Sequence, residues 1–148
     1  MLVEYILCLL LVFAGQFSCN AFEKEIAQES NKVLECVDLK IKSFDISDLI
    51  TREMDVAIKS ENPEDELNAY NRIISALELE IGRLEDCKAD VSEEAMTEMY
   101  MSGYYEYKFE LQLLEAFIKS SIQGGKVTMT KESEEFIYEI ALDIRSIE

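Results

Sequence analysis

From Ile26 almost to the C-terminus, apolar residues recur every three or four positions, the period of helices that bury one face. A first helix is predicted over about Glu23–Lys42, with Ile26, Val33, Val37, Ile41 and Phe44 following its buried side. A short second helix is expected over about Ser47–Lys59, capped by Ser47 and turning Ile50, Met54 and Ala57 inward. The stretch "SENPEDEL" is the clearest start signal. Asn62 can cap, Pro63 occupies the first helical position, and Glu64, Asp65 and Glu66 face the positive end of the helix dipole. The third helix then carries Leu67, Tyr70, Ile74, Leu77, Ile81 and Leu84 at alternating three- and four-residue steps, a heptad-like seam.

"ADVSEEA" marks the next boundary, with Asp90 and Glu93 as a capping-box variant and Ser92 as a second cap. The fourth helix is expected to continue to Gln123, where Gly124-Gly125 stops it. "KVTMT" reads as a linker, Thr130 caps the last helix, and Phe136, Ile137, Ile140, Ile144 and Ile147 form its inner stripe. Pro63 is the only proline and there are five glycines, so little interrupts helical structure. Short connections make consecutive helices antiparallel. The expected fold is all-α: an up-and-down antiparallel bundle of four to five helices.

The first twenty residues break the period. Ile6 to Gly15 is apolar and uncharged, shorter than a membrane span of ~20 residues and suited to the hydrophobic region of a secretory signal. Small residues at Cys19 and Ala21 fit cleavage after Ala21, making 1–21 a signal peptide and 22–148 a single helical domain. The start lacks Lys and Arg and carries Glu4, so an uncleaved anchor is the competing reading. A lipoprotein motif at Cys19 fits poorly, because Gln16, Phe17 and Ser18 stand where it needs a leucine and small residues. Cleavage after Ala21 leaves Cys36 and Cys87, which in an oxidising compartment pair most simply with each other. That bridge closes a loop of ~50 residues, worth about 4 kcal/mol in the chain-entropy model. Cleavage further upstream, after Ala14, would retain Cys19 as an odd thiol.

Charge narrows the partners. Thirty-one acids against 14 bases give a formal net charge of −17, which opposes nucleic acid and anionic membranes and favours cationic partners. The chain has no histidine, so Ser-His-Asp and Cys-His catalysis, HExxH zinc sites and ExxH di-iron sites are impossible within it. The acidic groups Glu64-Asp65-Glu66, Glu93-Glu94 and Glu132 to Glu135 fall in first turns, where the dipole explains them. No D-x-D-x-D-G loop is present for calcium. No metal, cofactor or catalytic residue is expected, and the chain reads as a non-enzyme.

Four of seven tyrosines crowd into "MYMSGYYEYKFELQLLEAF". Tyr100, Tyr104, Tyr107, Leu111, Leu114 and Ile118 fall on one seam, so those three phenols read first as core, with hydroxyls reaching the wet end of the bundle. Tyr105 lies off it, on a second apolar stripe with Met101 and Phe109. A ligand pocket lined by Met96, Tyr100, Tyr104 and Tyr107 is the sharper reading, opened where mid-helix Gly103 lets the chain bend. The sequence therefore points to a secreted, non-catalytic extracellular binding protein, most simply one that meets a macromolecule through its acidic exterior. The alternative is a carrier of a small hydrophobic ligand at the tyrosines.

Overall fold

Helices dominate the computed structural model, which describes residues 39–89, 92–94, 97 and 103–147, all within the unit Cys36–Glu148. The expected signal segment, most of the expected first helix and Cys36 lie outside the described residues. Among the described residues four helices are bounded: α1 (Leu39–Lys59), α2 (Pro63–Ala89), α3 (Tyr104–Ser121) and α4 (Lys131–Ser146). Two short strands, β1 (Ile122–Gln123) and β2 (Lys126–Val127), join α3 to α4.

The break expected between the first two helices is absent, because α1 runs unbroken through it. Its buried stripe is Leu39, Ser43, Ile46, Ser47, Ile50, Glu53, Met54 and Ala57. Those positions repeat at the spacing of a helix seam, but two serines and a glutamate interrupt its apolar character. Ser47 is therefore mid-helix and buried, not a cap, since a cap residue needs non-helical backbone. Ser43 tolerates the helix by donating its hydroxyl to the Lys40 carbonyl at 2.8 Å. Ile41 and Phe44, expected on the buried side, are 58% and 37% exposed. Ile50, Met54 and Ala57 keep the inward positions read from the sequence, while Ile26, Val33 and Val37 lie outside the described residues.

The start of α2 follows the expected chemistry. The Glu64 amide donates to Asn62 Oδ1 at 3.1 Å, with Pro63 opening the helix. Tyr70, Leu77, Ile81 and Leu84 are buried as expected, joined by Ala69 and Ile73. Gly103 is a start rather than a mid-helix kink. Its φ of 79° lies in the left-handed region, and α3 begins at the next residue. The glycine pair also does more than stop a helix. Gly124 and Gly125 have φ of 58° and 77°, the two positive values of a type I′ turn, and they fold the expected linker back as a hairpin. Val127 and Met129 pack against the core from this hairpin and its exit. Thr130 caps α4, accepting from the Ser133 amide at 3.3 Å.

In the bundle α1 packs against α2 and α4, and α3 packs against the same two. Cross-helix pairs set the direction. Asp55 meets Tyr138 while Asp48 meets Arg145, so α1 and α4 run antiparallel. Phe117 meets Phe136 across the hairpin, so α3 and α4 do too. No helix among the described residues is long and apolar enough to cross a membrane.

Candidate binding surface

The α3 seam does what its spacing predicts. Tyr104, Tyr107, Leu111, Leu114 and Ile118 are all fully buried. Their hydroxyls do not reach the wet end of the bundle, however. Tyr104 donates to the Leu84 carbonyl, and Tyr107 donates to Glu80 Oε1 at 3.3 Å. Glu80 is 6% exposed, and Arg83 grips it with Nε at 2.9 Å and Nη2 at 2.7 Å. Burial pushes the Tyr104 phenol up to about 12, and burial together with the Glu80 charge pushes Tyr107 higher still. The Arg83 guanidinium is shifted up by its hydrogen bonds to Glu80. Of the four residues expected to line a pocket, these two are core residues with their hydroxyls bonded to α2. Met96 and Tyr100 lie outside the described residues.

The second apolar stripe of α3 faces outward. Phe109 is 60% and Leu113 is 38% exposed, and half-buried Tyr105 and Phe117 extend the row one turn each way. The four stand at four-residue steps, so they form one ridge along the helix. Met101, the next residue back on that stripe, lies outside the described residues.

Acids flank the ridge. Glu106 and Glu110 stand one turn apart on α3, and Asp143 approaches Glu110 from α4. Partial burial, then the charges of Asp143 and Glu106, hold the Glu110 carboxyl above its ordinary range. Nearby cations are engaged elsewhere: Lys108 with Glu85, Lys119 with Glu78 and Glu115, Arg145 with Asp48. None of Glu106, Glu110 and Asp143 makes an ion pair among the described residues. The sequence showed the stripe but not its exposure, since period locates a face without saying what covers it. No family model, curated protein or solved structure matches this chain.

Proposed function

We propose that the chain is a secreted, non-catalytic binding protein that engages a cationic amphipathic segment of another protein along the outer face of α3. The observation that carries this reading is the exposed Phe109–Leu113 ridge beside Glu106, Glu110 and Asp143, which have no ion-pair partner among the described residues. Folding gains nothing from either feature. Like charges one helical turn apart cost a few tenths of a kcal/mol, and exposed Phe and Leu forgo burial. A partner helix that lays apolar residues on the ridge and lysines or arginines against the acids removes both costs. The net charge of −17 draws such a partner from a distance.

Secretion, with the signal removed after Ala21, belongs to the same proposal and rests on the apolar run from Ile6 to Gly15. So does a Cys36–Cys87 bridge. The start of α1 and the end of α2 meet at one end of an antiparallel helix pair, as the Glu53–Arg72 contact near the connecting turn requires. Cys36 precedes Leu39 by only three residues, a reach of about 10 Å. Cys87 is half-buried near the end of α2, at that same end of the pair.

The test is titration of the protein with a helical lysine–leucine peptide at several NaCl concentrations. Expected is saturable binding that weakens steeply with salt, and that Phe109→Ala and Glu110→Gln each weaken about fivefold. Binding indifferent to salt, or to Phe109→Ala, overturns the reading. The intact mass of protein secreted from eukaryotic cells tests the remainder: a chain starting at Phe22 and lighter by the hydrogens of one bridge is expected.

A further inference from the structure

Between α1 and α2 lies a solvent-open groove of about 450 Å³, bordered by Arg52 and Glu53 on one side and Asn68, Asn71, Arg72 and Ser75 on the other. The α2 residues fall at i, i+3, i+4 and i+7, so one helix face presents two amides, a guanidinium and a hydroxyl to the same space. Glu53 is only 7% exposed, which is unusual for a carboxylate. Each of its oxygens holds one arginine: Oε2 accepts from Arg72 Nε at 2.7 Å, and Oε1 from Arg52 Nε at 3.4 Å.

We infer that this groove binds a small polar molecule through an oxyanion, a phosphate or carboxylate, held between Arg52 and Arg72. Both guanidiniums spend their Nε edge on Glu53. Their Nη groups, the donors suited to an oxyanion, have no partner among the described residues, and the side chains are 68% and 52% exposed. The buried carboxylate is a positioning residue: it orients two forks without using their outer donors. Two cations on one anion leave the groove locally positive in a chain of net charge −17, so an anion repelled elsewhere collects here. Asn68, Asn71 and Ser75 supply hydrogen bonds for the rest of the ligand, and the volume suits a molecule of metabolite size. The site is separate from the α3 ridge, and neither reading depends on the other.

The test follows the arginine Nε–Hε and asparagine side-chain signals in 1H–15N spectra of the full chain. Inorganic phosphate and, in a parallel series, acetate are added at constant ionic strength. The expected result is that the Arg52, Arg72 and Asn71 signals move together and saturate with at least one of the two anions. Phosphate alone assigns a phosphate-bearing ligand, acetate alone a carboxylate, and both an oxyanion of either kind. Arg52→Gln, which leaves Arg72 on Glu53, weakens binding about tenfold. Asn71→Ala touches no ion pair and weakens it about threefold. Lys108→Gln makes the same charge change on α3 and alters affinity less than about twofold. Shifts that rise without saturation in both series, or an equal loss in Lys108→Gln, overturn the site.

Discussion

Ser47 is 1% exposed on the core side of α1, and its hydroxyl has no hydrogen-bond partner among the described residues. An unpaired buried hydroxyl costs roughly 1–3 kcal/mol, and alanine is also the better helix former. Ser47→Ala is therefore expected to raise stability by about 1 kcal/mol, read as a higher urea midpoint with unchanged slope. Loss of stability would mean that the hydroxyl has a bonded partner after all. Glu80 is the opposite case, a nearly buried charge that is well satisfied. Arg83→Met strands that charge beside Tyr107 and is expected to cost about 3 kcal/mol in the same measurement. Sequence alone could not separate these two polar residues. A serine before an apolar run has the form of a cap, and a glutamate inside a charged helix has the form of surface. Only the position of each on the helix circumference, relative to neighbours distant in sequence, tells which is enclosed.

Element starts and stops were legible where a backbone constraint has few chemical solutions. Asn62 with Pro63 and Thr130 with Ser133 are such cases, and both act as their residue types require. The α1 stripe was hidden because Ser43, Ser47 and Glu53 occupy core positions, while Ile41 and Phe44 occupy outer ones. Phe44 is nonetheless used, since the Arg145 guanidinium lies 4.6 Å from its ring centre. The candidate surface was half legible. Four-residue spacing drew the Tyr105–Phe109 stripe, but Asp143 reaches it only through the α3–α4 hairpin. That hairpin turns on Gly124 and Gly125. A Cβ on either meets no atom within 4 Å, so a substitution there is opposed by backbone conformation alone. Gly124→Ala is expected to cost about 1 kcal/mol, and Gly124→Asn clearly less, because asparagine enters the left-handed region more readily. Equal thermal midpoints for the two variants would contradict the type I′ assignment.

At the scale of the whole molecule, charge decides how stability responds to pH. Thirty-one acids and 14 bases place the folded chain under self-repulsion at neutral pH. Glu110 adds to it locally. Its folded pKa is raised, so the native state takes up a proton before the unfolded state does, and stability grows as pH falls from neutral toward the ordinary glutamate range. Other carboxylates act in the reverse direction. Asp55 is held low by hydrogen bonds from Lys59 and Tyr138, and Glu132 by its own backbone amide and Thr130. Their contribution is present above the unfolded pKa and is lost as pH falls through the lower folded value. The two trends cross, and the stability maximum is expected at about pH 5–6, acid of neutral. Urea midpoints measured from pH 3 to pH 8 check this. Added NaCl should raise the midpoint at pH 8 more than at the maximum, because it screens repulsion that protonation has already relieved there. Glu110→Gln should stabilise the chain by a few tenths of a kcal/mol at pH 7, and the gain should fade as pH drops through and below the ordinary glutamate range, where both states take up the proton. If that variant is more stable and yet weaker toward the lysine–leucine peptide, the carboxylate is held at a cost to folding for the sake of binding. If stability and binding fall together, Glu110 belongs to the scaffold, and the α3 face loses its claim to be the contact.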